Sequence, residues 1–359
     1  MQMISCCSSL SQDLSKVIPL GMFWTKRWHL VSGCTPVSAG CENCWMRREA
    51  RLRCGHPYAS IRALHEDLLT EAGQWNGTVR FNAQLLEVPL HSRVPQIFAI
   101  WSDLFHESVS DADIDRAMAV VLACRVFSNR PHRFVAPTKR SSRQRRYFSS
   151  RKPAELLQAW AKAGNEFIFC KAPEISFSEQ VMGLCYGPAD SMGRILKDHG
   201  EWGYIEKLFP LPNLIGCVTT ENQQAVDKRI PDFLKTPFRT RLVLAEPLLG
   251  AISLLGSKDL VHGVLAGGES GNSARPSHPD WFRQLRDQCG HDDLPFFFKA
   301  WGEWLPHGQE VMNSLLLPND LPAASWYRWQ DGNRSIKVGK RGAGRLLDGQ
   351  EHNDLPVVI

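Results

Sequence analysis

The 359-residue chain carries 42 Lys and Arg against 37 Asp and Glu, a formal charge of +5, with 43% hydrophobic and 22% charged residues. At ~150 residues per domain this is two domains or one large barrel with insertions, and the balance excludes a short disulfide scaffold and a wholly disordered chain. So small a net charge permits a nucleic-acid partner without indicating one, and any basic footprint has to be local.

In chain order, residues 1–22 lack the basic start and apolar core of a secretory signal and read as a tail. No apolar run of about 18 residues occurs, so no membrane span is expected, and the expected location is the cytoplasm. Eleven cysteines, an odd number spread irregularly, argue against a disulfide framework and for reduced thiols, some of them ligands. Cys124, Cys170 and Cys217 sit inside apolar runs and are expected in the core.

The sharpest motif is GCTPVSAGCENCW, which places Cys34, Cys41 and Cys44 at C-x6-C-x2-C behind an apolar segment. Gly33, Pro36 and Gly40 supply the turns that wrap so short a segment around a metal centre. Three thiolates suffice for an iron–sulfur cluster with one iron left open. Zinc is the alternative, with Cys54 or His56 as fourth ligand, and three unliganded thiols are the plain one.

From about residue 95, short apolar runs alternate with amphipathic stretches. This pattern predicts strands over 96–103, 132–139, 166–171, 213–221, 240–247, 261–269 and 294–301, with helices such as ADIDRAMAVVLAC, QQAVDKRIPDFLK and PDWFRQLRDQC between several of them. The runs stop at Asp103, Lys139, Glu221, Glu246, Glu269 and Lys299. In a β/α barrel, C-terminal strand ends converge on one mouth, so an α/β fold is expected: a complete or partial TIM-like (β/α) barrel over 23–304. Asp103, Lys139, Glu221, Glu246 and Lys299 are its candidate catalytic groups. Strand ends that simply meet solvent are the competing explanation, weakest for the three glutamates.

Gly267, Gly268 and Glu269, in GGESGNS, offer backbone N–H groups to a carboxylate or phosphate, or make a tight turn alone; no helix opens on them as a dinucleotide fingerprint requires. Asp103 reads as an acid–base group or as a cap, and His106 as packed. Residues 139–152 carry Lys139, Arg140, Arg143, Arg145, Arg146, Arg151 and Lys152 around Tyr147 and Phe148. They offer phosphate contacts and base stacking, against the commoner reading of a solvated helical face. Arg283 and Arg286 look like surface charge. Residues 174–212 interrupt the rhythm as an insertion, and 305–359 read as an extension packed on the barrel, its Gly-rich end not expected to be helical.

WHLVSGCTPVSAGCENCW, SDLFHE, TKR, ENQ with RIP, EPLLG, GGESGNSARPSHPDW, FFFKAWGEW and VGKRGAGRLLDG together resemble the phage-type three-cysteine-motif family, which looks like part of the radical S-adenosylmethionine (SAM) superfamily. The resemblance implies a β/α barrel, a 4Fe-4S cluster on Cys34, Cys41 and Cys44, SAM on the open iron, and Gly267, Gly268 and Glu269 at the SAM amino group. It implies reductive cleavage to a 5′-deoxyadenosyl radical that abstracts hydrogen from a substrate shielded by the barrel. A separate three-Cys-motif partner protein is implied as well. With the basic segment, the phage association points to a substrate in or attached to nucleic acid, or a nucleotide. The chain departs from the superfamily pattern in its six-residue first gap, in Asn43 where an aromatic residue precedes the last cysteine, and in a GGE segment more than 200 residues downstream of the loop. The alternative is a non-catalytic zinc- or cluster-binding module that binds nucleic acid or a partner protein.

Overall fold

A computed structural model describes residues 22–126, 132–168, 175–186, 208–254, 256, 260–309 and 326–355. Strand β1 (Lys26–Trp28) is followed by a small antiparallel pair, β2 (Val31–Ser32) and β3 (Arg80–Phe81). Then come β4 (Ile97–Ile100), β5 (Arg133–Thr138), β6 (Leu214–Thr219), β7 (Thr240–Ala245), β8 (Gly263–Gly267) and β9 (Phe296–Ala300). These six and β1 form one seven-stranded sheet, all parallel, in the order β1-β4-β5-β6-β7-β8-β9. Chain order is therefore spatial order, as right-handed βα crossovers produce. The sheet curls into a half-barrel flanked by helices, with β1 and β9 as its two ends, unpaired with each other. Of the two expected forms, this half-barrel is compatible with the partial one.

The curl follows from alternation along each strand. Ile97, Val135, Ile215, Cys217, Leu242, Leu244, Leu265 and Phe297 pack together on one face with Phe23. Their neighbours Phe98, Phe134, Leu214, Val218, Val243, Val264 and Phe298 belong to the larger core shared with the helices. Those helices include Asp111–Val126, Gln223–Leu234 and Pro279–His291, close to the predicted stretches. Cys124 and Cys217 are buried; Cys170 lies outside the described residues.

Residues 166–168, the described part of the strand expected over 166–171, form no strand. The sheet passes directly from β5 to β6, with Phe134 opposite Leu214. Residues 166–168 wind off the helix Pro153–Gly164, the amides of Phe167 and Ile168 donating to the Gly164 carbonyl, and 169–171 lie outside the described residues. Phe167 and Ile168 pack on the helical layer, which is why that run reads as apolar. Conversely β1, only three residues and partly exposed, carries no apolar run, yet it pairs in register with Phe98–Ile100.

Beyond the sheet, β10 (Trp304–Pro306), β11 (Trp326–Arg328) and β12 (Arg334–Lys337) make a three-stranded antiparallel sheet in the order β10-β12-β11. Against expectation, Gly339–Ala343 is a short helix; Gly339 (φ +79°) and Gly344 (φ +68°) let the chain turn into and out of it. Arg283 and Arg286 are not free surface charge, because both bind Asp348. They hold the last described segment against β9, where the Phe298 amide donates to the His352 carbonyl and Leu355 reaches the inner face. Of the insertion at 174–212, the helix Phe177–Tyr186 and the turn at 208–212 are described. No helix among the described residues is long and apolar enough to cross a membrane.

Candidate functional site: a cysteine loop on the strand ends

Two-residue alternation carries the inner rows past their strand ends to Asp103, Lys139, Glu221, Glu246, Glu269 and Lys299, all on one rim. The cysteine loop sits on that rim. Lys139 Nζ donates to the Gly40 carbonyl at 2.8 Å and lies 3.8 Å from Cys41 Sγ. A side chain at Gly40 would press within 3.0 Å of the Glu221 carboxyl and 3.1 Å of Lys139 Nζ, so the glycine lets the loop settle onto these groups. Glu221 itself is held by Arg229, at 2.6 and 3.2 Å. Burial pushes its carboxyl up, but the bonds from Arg229 outweigh this and leave it below the usual range.

Arg140 ties the other side. Its Nη1 is 3.7 Å from Cys34 Sγ and 3.0 Å from Asp103, its Nη2 donates to the Thr35 carbonyl and hydroxyl, and its Nε donates to Glu107. Asp103 also accepts from the Phe105 amide and, at 2.7 Å, from the Thr138 hydroxyl. It caps a turn and anchors Arg140 rather than standing free as an acid or base. His106 joins the same cluster through the Thr35 hydroxyl at 2.8 Å.

Glu269 reaches the loop across 226 residues, accepting from Asn43 Nδ2 at 2.9 Å. Arg275 binds both Glu269 oxygens and extends to the Ala39 carbonyl and to Glu42. Gly268 is forced by packing, since a Cβ there would lie 1.9 Å from the Trp301 carbonyl oxygen. Gly267 has ordinary clearance, 3.5 Å, to Glu246 and Lys299. Those two form an ion pair at 2.5 Å with partly exposed side chains, beside the loop latch and outside its bonds.

The thiols differ. Burial raises Cys34 to about 11 despite Arg140, and raises Cys44 as well. Burial also opposes ionisation of Cys41, but Lys139 and backbone N–H groups of the loop overcome it and hold that thiol below its ordinary value. The three sulfurs do not all lie within 4.8 Å of one another. The fourth zinc ligand expected at Cys54 or His56 is not met: Cys54 is exposed and donates to the Arg51 carbonyl, and His56 accepts from the Tyr58 amide. Among the described residues, the set of candidate metal ligands gathered within 4.8 Å is instead His278, Asp280 and Asp331.

The basic segment 139–152 offers no stacking platform. Tyr147 and Phe148 are buried and have no face to offer a base. Arg143 pairs with Asp111, Arg145 with Asp232 and Arg151 with Asp115, leaving Arg146 and Lys152 exposed. Sequence reasoning named the rim residues and passed over what holds them: Arg140, counted only as charge, Arg229, Arg275 and Thr35. Asn43, noted from the sequence only as a departure from the superfamily pattern, makes the bond to Glu269.

A family model described as "Protein of unknown function (DUF5131)" matches residues 21–356. No curated protein and no solved structure matches the chain.

Proposed function

As the chain belongs to the DUF5131 family, we propose its activity from its own site: a radical-SAM-like enzyme on a partial TIM-like barrel, acting on a substrate in or attached to nucleic acid. Cys34, Cys41 and Cys44 would hold a 4Fe-4S cluster, with SAM at its open position and Gly267 and Gly268 on the neighbouring strand end. When bound, cluster and SAM supply a 5′-deoxyadenosyl radical, chemistry no side chain provides.

The observation that carries this reading is the seating of a three-thiol loop on the C-terminal rim, where barrel enzymes gather their active groups, with a cation beside two of the three sulfurs. The donor set suits a cluster. Three thiols leave one iron of a four-iron cluster open, whereas a single structural zinc would want a fourth protein ligand. Lys139 favours thiolate at Cys41, and Arg140 offsets part of what burial costs at Cys34. Asn43, Arg275 and Glu269 pin the loop so that its thiols keep their places. Glu246 and Lys299, outside the latch, are the pair that would meet the substrate, one accepting and one donating hydrogen bonds. The nucleic-acid reading rests on the helix Trp45–Arg53, directly after Cys44, which carries Arg47, Arg48, Arg51 and Arg53 against Glu49, with Trp45 45% exposed.

The test is anaerobic reconstitution with iron and sulfide, then dithionite reduction with SAM and assay of 5′-deoxyadenosine. Wild type is expected to release it and Cys41→Ala is not. Stoichiometric tight zinc, with no cluster and no SAM cleavage, would overturn the proposal in favour of a binding module.

A further inference from the structure

Away from the cysteine rim, a cleft of about 570 Å³ opens between the start of the helix Pro279–His291 and the turn after β11. Its size falls within the ~300–1,000 Å³ of small-ligand sites. Aromatic rings set nearly at right angles make its walls: Trp281 and Trp329 are 5.4 Å apart at 75°, and Tyr327 and Trp329 are 4.7 Å apart at 70°. His278 closes the corner, 4.8 Å from Trp329 at 81°. Asp280 and Asp331 supply two carboxylates to the cleft, Asp280 also pairing with Arg283 at 2.8 Å, while Asp331 faces His278; Arg328 is the guanidinium in the lining.

We infer that this cleft binds an alkylated ammonium cation, either a free small molecule or one carried on a protein side chain. Aromatic faces attract a cation through the ring quadrupole, and alkyl groups on nitrogen add apolar contact that a bare ammonium lacks. Asp280 and Asp331 complement the charge, and would repel a phosphate-bearing ligand. His278 serves as wall rather than as metal ligand. Its Nε2 lies 2.9 Å from Asp331 and its Nδ1 accepts from the Asp280 amide, so both ring nitrogens are engaged. This inference is independent of the cysteine site.

Calorimetric titration of the full chain with tetramethylammonium chloride, at ionic strength fixed by sodium chloride, tests it against the neutral isostere neopentyl alcohol. Saturable binding is expected, about 10-fold weaker for the neutral compound, a ratio that corresponds to ~1.4 kcal/mol. Tyr327→Ala and Asp280→Asn should each weaken binding several-fold, Tyr327→Ala with an unchanged thermal midpoint, Tyr327 being 42% exposed. A second arm compares a trimethyl-lysine peptide with its unmodified form. A preference for the modified peptide beyond that for tetramethylammonium assigns a protein-borne ligand, and parity assigns a free one. Equal binding of the neutral isostere or of a neutral oligosaccharide, no saturation, or full binding by both variants would overturn the inference.

Discussion

Arg140 holds the cysteine site together more than any residue singled out for chemistry. It is buried and reaches Asp103, Glu107, Thr35 and the sulfur of Cys34. Removing one partner of a buried pair leaves the other charge uncompensated, a cost of about 3–5 kcal/mol. Arg140→Leu is therefore expected to lower the unfolding free energy in urea by that order. Arg140→Lys should fall between it and wild type, because it restores charge without the forked contacts. His29 makes a second prediction. Burial lowers its pKa from 6.5 to about 4, with Arg53 reinforcing the shift and Glu49 opposing it. The unfolded chain thus takes up a proton that the folded chain refuses, and this contribution, whole above pH 6.5, is lost as pH falls toward 4. Urea midpoints measured between pH 7 and 4 should drop less steeply in His29→Gln; an unaltered slope would refute the assignment. At this scale the sequence showed the rim residues because alternation alone aims them. Their partners stayed hidden because no spacing announces that Arg275 will clasp Glu269, or that Asp103 will spend its oxygens on Arg140 and a turn.

At the scale of elements, β8 and β9 meet through bare backbone. Gly268→Ala is expected to force the strands apart at Trp301 and drop the thermal midpoint by several degrees, with much of the protein insoluble. Gly267→Ala, with 3.5 Å of clearance, should fold almost normally. Melting curves of the two decide the matter, and equal loss would contradict the packing argument. Six of the seven strand runs were legible because parallel strands buried on both faces read as continuous apolar segments. In the seventh, at 166–171, the described residues 166–168 follow a helix end instead, and a helix end packed on the core presents the same apolar composition. β1 escaped notice for the opposite reason: its Lys26 is exposed and its Arg27 lies over Trp101 and pairs with Glu49, so its membership is fixed by pairing with β4 and not by hydrophobicity.

For the whole molecule, the half-barrel leaves β9 with an open edge, which the last described segment covers through the His352 carbonyl, the Asn353 bridge to Phe297 and the Asp348 clasp on Arg283 and Arg286. A chain ending at Gly344 should associate into larger species in sedimentation or light scattering, because an uncovered strand edge templates pairing with another copy. A truncated chain that stays monomeric would show that the segment is not a guard. Closure of the site draws equally on distant parts of the chain. Arg275 follows Glu42 by 233 residues, so at ~5–20 residues per second of synthesis the three thiols wait roughly 10–50 s on the ribosome before the arginine that clasps their loop has been made. The cysteine motif, among the earliest to leave the exit tunnel, is thus among the last to be finished, its loop unlatched until late in synthesis.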